Sequence, residues 1–291
     1  MQACDHPACA YSEMHLRHSP ASKTIPPPTA ICDNAAMFGQ KHRRRQRVAM
    51  RPFPDAWAAI LVRNAPFYRR LSPEDQAELR RHVHVFLAEK RFEGCGGLAI
   101  NDEIRVTIAA HACVLLLHRE TDYYPLLTTI LVYPHVFPVE RHLPGPAGLP
   151  IETCQTLAGE SWRHGSVVLA WDEVRHSAFD LHDGHNVVVH EFAHQLDEED
   201  GSANGAPSLP RRSMYTAWAR ILGKEYAELV SAAEEGRPSL LDPYGTTNPA
   251  EFFSVATEQF FDAPEEMARQ CLELYAELKL YYRQDPAAWT P

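Results

Sequence analysis

The segment Val187–Asp197, VVVHEFAHQLD, sets two histidines four residues apart with a glutamate directly after the first. On a helix, four steps of about 100° bring His190 and His194 within about 40° of each other, one turn apart on the same face. Both imidazoles can then reach one ion. Zinc accepts neutral imidazole nitrogen, and a catalytic Zn2+ keeps a position open for water beside three protein ligands. Glu191, one step from His190, projects toward the substrate side. A carboxylate there can take a proton from the attacking water and hand it to a leaving amine. Val187, Val188, Val189, Phe192 and Ala193 supply the apolar helix on which such ligands are held, and no proline interrupts it.

A third ligand is needed, and the loop after Leu196 offers no further histidine at short spacing. The next candidate stretch is YGTTNPAEFFSVATEQFF, Tyr244–Phe261. Asn248 reads as a helix N-cap and Pro249 as the first helical residue, which puts Glu251 in the first turn. A glutamate three residues after the cap can be a metal ligand or can reach back to the cap in a capping box. The residues alone leave both open. Glu251 and Glu258, seven apart, share a face.

These side chains need elements to hold them. LSPEDQAELRRHVHVFLAEKRF predicts a helix with Ser72 as N-cap, Pro73 at its first position and Leu79, Val83, Phe86 and Leu87 on one face. A second helix follows Asn101, with Ile104, Ile108, Cys113 and Leu116 on a shared side and His111 and Cys113 as core filling. TTILVYP (128–134) and GSVVLAW (165–171) read as strands. After Asp197 the Gly, Asn and Pro content predicts a loop, followed by helices near 211–234, 249–261 and 264–284. The pattern is α+β: helix-dominated, with a small sheet beside the helix that carries the histidines.

Composition narrows the function classes. The 291 residues are 45% apolar and 23% charged, as expected of a soluble globular chain. The net charge of −10 divides unevenly, +4 over residues 1–50 and −14 over 51–291. So acidic a body argues against direct nucleic-acid binding. The run KHRRRQR, Lys41–Arg47, reads as a solvated, flexible arm. Seven cysteines without regular spacing, and a start lacking a signal-like apolar core, point to a reducing, cytoplasmic setting. The apolar run Thr107–Leu117 falls far short of the roughly 20 residues that span a bilayer, so no membrane span is expected. Residues 1–36, rich in Pro, Ser, Ala and His, are expected to be a disordered extension in which Cys4, His6 and Cys9 are incidental, with Met37 as the natural start. Residues 37–291 form the expected functional domain.

NVVVHEFAHQLD, followed after a Gly/Pro loop by DPYGTTNPAEFF, resembles the zinc metallopeptidase family named for Mlc titration factor A, within the wider gluzincin group. The likeness runs from about residue 37 to 285 and takes in MFGQKHRRRQR, LSPEDQ, ILVYP and ESWRHGSVVLAW. It implies His190, His194 and Glu251 as zinc ligands and Glu191 as general base. It matches Tyr244 to a family tyrosine near the metal, whose phenol is suited to stabilise an oxyanion. Asp197 and Glu258 become candidates for fixing the imidazole tautomers, or for capping or solvating their helices. The resemblance further implies a zincin-like fold similar to the catalytic domain of anthrax lethal factor and aminopeptidase-like action on short peptides. As an alternative it implies a regulatory protein that sequesters a transcriptional repressor of sugar uptake, with the zinc site of minor importance.

Overall fold

The computed structural model describes residues 29–144, 150–157, 159–162, 165–179 and 184–290. Cys4, His6 and Cys9, with the rest of residues 1–28, lie outside the described residues. The chain divides into two units, Met1–Arg44 and Arg45–Pro291. In the first, the described residues from Thr29 onward belong to helix α1 (Thr29–Ala49), which includes the end of the segment expected to be disordered and continues into the second unit.

The cationic run is therefore helical rather than a flexible arm. A reason lies in Arg45, whose Nε and Nη2 each donate to a different oxygen of Glu89 at 2.7 Å. Its Nη1 donates to Asp122 at 2.5 Å. This two-pronged pairing exploits the planar fork of the guanidinium, and it is set at the helix position where lysine could not reproduce it.

Helices α2 (Asp55–Asn64), α3 (Pro73–Glu89) and α4 (Asp102–Val114) follow. The expected cap is present, Ser72 accepting from Asp75 N at 3.1 Å, and Asn101, ahead of the second helix, caps it by accepting from Ile104 N at 2.9 Å. Leu79, Val83 and Phe86 on α3 and Ile104, Ile108 and Cys113 on α4 are all buried. The main sheet has the order β1 (Arg91–Gly94), β2 (Thr129–Tyr133), β6 (Ser166–Ala170), β5 (Gly159–Trp162). The first three strands are parallel and β5 is antiparallel to β6. Parallel neighbours need long crossovers. Here α4 lies between β1 and β2, and an antiparallel pair, β3 (Phe137–Pro144) and β4 (Pro150–Leu157), lies between β2 and β6. Ile130, Val132, Val167 and Leu169 are fully buried and form the sheet's contribution to the core.

The C-terminal half is helical: α5 (Trp171–Phe179), α6 (Val187–Asp197), α7 (Met214–Glu235), α8 (Pro249–Asp262), α9 (Pro264–Gln270) and α10 (Leu272–Tyr282). The single helix expected over 264–284 is interrupted at Cys271, which leaves helical geometry at φ −125, ψ 55. Helix α6 is seated by its apolar side. The Phe192 ring meets Tyr124 at 4.8 Å and Phe86 at 5.6 Å between centroids, and Val188, Val189 and Leu196 are buried with it. The opposite face, with both histidines, turns toward α8.

On α3, Glu78 receives His82 Nε2 at 3.3 Å and the backbone N–H of His118 at 2.9 Å. The hydrogen bond from His82 outweighs partial burial and holds the carboxyl down at about 2. A depressed carboxylate stabilises the fold above its ordinary value near 4.5, and that contribution fades as pH falls toward 2. Urea unfolding at pH 6 and pH 3 should therefore show Glu78→Gln costing about 1–3 kcal/mol at the higher pH and much less at the lower.

Candidate metal centre

Asn186 starts α6 by accepting from Val189 N at 3.1 Å, so the helix begins just early enough to put His190 in its first turn and His194 in its second. The two imidazole centroids lie 4.9 Å apart with planes at 75°. Glu251 enters from α8. Its place near the helix start left open a capping role in which its carboxylate would turn back to the Asn248 N–H; the Asn248 side chain caps the helix itself, Oδ1 accepting from Ala250 N at 2.9 Å and Glu251 N at 3.0 Å. The Glu251 carboxylate points instead at the histidines, with Oε2 3.0 Å from His190 Nε2 and 3.1 Å from His194 Nε2. Two imidazole nitrogens and one carboxylate oxygen thus converge on one point and could hold a metal ion. That donor set suits a catalytic zinc, which takes three such ligands and leaves a position open.

Glu258, two turns along α8, accepts from His190 Nδ1 at 2.6 Å, and its other oxygen accepts from Asn186 N at 2.7 Å. Burial works against charge on His190, but Glu258 and Glu251 outweigh it and keep the imidazole well above its ordinary value. Burial likewise raises the Glu251 carboxyl, and the hydrogen bonds from His190 and His194 overcome it and pull the group far down. A divalent cation would take the place of the protons shared between these groups.

Glu191 follows His190 on α6 and is 4% exposed. Tyr244 sits in a short 3-10 turn, Pro243–Thr246, started by Asp242, which accepts from Tyr244 N at 2.6 Å. Its ring centroid lies 6.0 Å from that of His190, and the residue is 54% exposed, so it stands at the open side of the pair. Asp242 also lies 3.2 Å from His185 Nε2 and ties the turn to the segment leading into α6. Asn186 and Asp242 were not singled out in the sequence, although an asparagine directly before a Val-Val-Val run is an N-cap signal.

Asp197 is used differently from Glu258. Its Oδ2 accepts from Gly205 N at 2.8 Å, and burial raises its pKa. The carboxylate pins the loop after α6. Gly205 has φ +76, its carbonyl accepts from Trp218 Nε1 at 2.9 Å, and a Cβ there would lie 2.3 Å from the Pro249 oxygen. Pro249 begins the helix that carries Glu251. Gly205→Ala is thus expected to cost at least about 1–3 kcal/mol in denaturant unfolding and, by displacing the start of α8, to weaken metal binding in a zinc titration.

A second group among the described residues, Asp75, Glu78 and His118, also converges. His118 Nε2 lies 3.0 Å from Asp75 and its Nδ1 3.5 Å from Glu78. Both ring nitrogens face carboxylates.

The profile of a family described as glucose-regulated metallo-peptidase M90 matches residues 40–283. An uncharacterized protein of Synechocystis sp. is 44% identical over 245 residues, covering 84% of this chain and 89% of the relative. Mlc titration factor A of Serratia proteamaculans is 34% identical over 226 residues, covering 75% of this chain and 84% of the relative. Mlc titration factor A of Pectobacterium atrosepticum is 34% identical over 236 residues, covering 80% and 87%. A match across most of the chain, with relatives aligned over most of their own length, shows that the chain belongs to the glucose-regulated metallo-peptidase M90 family.

Proposed function

We propose that this chain is a zinc-dependent aminopeptidase that releases amino-terminal residues from short peptides. The observation that supports a hydrolytic metal site most directly is the single Glu251 oxygen within 3.1 Å of both imidazole Nε2 atoms. His190, His194 and Glu251 would hold the ion. When bound, zinc supplies Lewis acidity, polarising the scissile carbonyl and making a water nucleophilic near neutral pH. Glu191 takes a proton from the attacking water and returns it to the departing amine. Tyr244, on the open side of His190, donates its phenolic hydrogen to the oxygen that gains charge in the tetrahedral intermediate. Glu258 holds the Nδ1–H of His190 and so leaves Nε2 to face the ion.

The preference for free amino termini comes from the family resemblance, and substrates can test it. The zinc-loaded protein should hydrolyse aminoacyl anilides and short peptides while sparing the same peptides acetylated at the N-terminus. Equal cleavage of acetylated peptides would remove the aminopeptidase assignment and keep the peptidase. The cytoplasm is the proposed location: seven cysteines without paired spacing fit a reducing compartment, and no helix among the described residues is long and apolar enough to cross a membrane.

A second reading, implied by the family resemblance and in keeping with the relatives' name, Mlc titration factor A, is that the chain binds a transcriptional repressor of sugar uptake, with the zinc site of minor importance. Repressor capture that is unaffected by His194→Ala, in a protein without peptide hydrolysis, would put this role first.

A further inference from the structure

Helix α2 ends at Asn64, and the last carbonyls of a helix lack partners within it. His111 Nε2, from α4, lies 3.0 Å from the Asn64 oxygen. A carbonyl only accepts, so Nε2 carries the hydrogen and Nδ1 is left with a lone pair. Burial pushes this imidazole down to about 4 and keeps it neutral. Asn186 Nδ2 donates to that lone pair at 3.0 Å and to Asp262 Oδ1 at 3.4 Å. The amide is thereby oriented, with its oxygen on Val189 N as the cap of α6. The backbone N–H of the same residue meets Glu258 Oε2 at 2.7 Å, and Glu258 Oε1 receives His190 Nδ1 at 2.6 Å. His111 and Asn186 are each 1% exposed and Glu258 is 5% exposed. In so dry a network each of these donors and acceptors is committed to a named partner, and rotating any of the groups strands a neighbour.

We infer that His111 and Asn186 are positioning residues for the metal centre: they hold Glu258, and through it the His190 ring, so that Nε2 faces Glu251. Neither touches the reacting atoms. The inference rests on His190 being a metal ligand.

Zinc affinity of the full-length chain, measured by competition with a chelator, tests it. Asn186→Ser keeps an oxygen able to cap α6 but is too short to reach His111. It should weaken zinc binding about tenfold in a chain that still unfolds cooperatively, its thermal midpoint lowered by the unpaired His111 nitrogen. Glu258→Gln should weaken binding too. The double variant should bind no more weakly than Glu258→Gln alone, because the two residues act along one path. His111→Leu should follow Asn186→Ser, and His111→Gln, which restores a donor toward Asn64 and an acceptor toward Asn186, should recover affinity. Wild-type affinity in Asn186→Ser, multiplying losses in the double variant, or no recovery in a folded His111→Gln would overturn the inference and leave the metal assignment standing. A wild type that binds zinc no better than His194→Ala would overturn both.

Discussion

Glu191→Gln is expected to bind zinc as the wild type does and to hydrolyse peptides about 10²–10⁴-fold more slowly. The substitution keeps shape and volume at a residue that is 4% exposed, so the packing of α6 has nothing to relax around. The amide cannot accept a proton from water at neutral pH, and the loss therefore falls on the proton-transfer step. The drop should appear in kcat, with KM little changed where chemistry is slow relative to substrate release. Glu191 also adds to the negative surroundings that favour charge on His190. Removing that charge changes metal affinity far less than losing a ligand does. Hydrolysis at the wild-type rate would move the base to another group. Loss of zinc together with activity would make Glu191 a structural partner of the ligands.

The pair on α6 was legible because the signal for it is local. A spacing of four fixes a shared helical face whatever the rest of the chain does, and the apolar residues between the histidines mark the side that must be buried. Glu251 was half legible. Its helix and cap could be read from Asn248 and Pro249, but a glutamate in the first turn has two uses. Only the geometry separates them: the carboxylate turns away from the Asn248 backbone and reaches across to residues 61 and 57 positions away. Seven-residue spacing placed Glu258 beside Glu251, whereas nothing local distinguished Glu258, which meets an imidazole, from Asp197, which holds Gly205.

The fold divides along the same line. β2 and β6 announce themselves as short apolar runs because the sheet buries their side chains. β1, RFEG, is a four-residue edge strand, exposed at three positions, with no apolar alternation to betray it. Neither the parallel order nor the β3–β4 pair could be read from periodicity, since both depend on contacts made far along the chain. His111 shows the limit most clearly. Core filling describes its burial correctly, and its two hydrogen bonds, to residues 47 and 75 positions away, are invisible in sequence.

His194→Ala is expected to abolish stoichiometric zinc while leaving the chain folded. Of the three converging atoms it removes one, and two ligands cannot grip the ion as three do. The loss in affinity should exceed the roughly 10–100-fold that follows removal of a residue supporting a ligand. Folding should survive because Glu251 keeps its 3.0 Å contact with His190, Asn248 still caps α8, and the apolar face of α6 around Phe192 is untouched. Thermal unfolding with and without zinc gives a readout independent of turnover. Ligand at a thousand times Kd stabilises the wild type by about 4 kcal/mol, a rise in Tm that the variant should lack. Glu251→Gln should behave in the same direction, since the amide keeps the length of the side chain but surrenders the charge that balances the cation. A zinc-dependent Tm shift of full size in both variants would show that the ion binds elsewhere, and the hydrolytic assignment would fall with it.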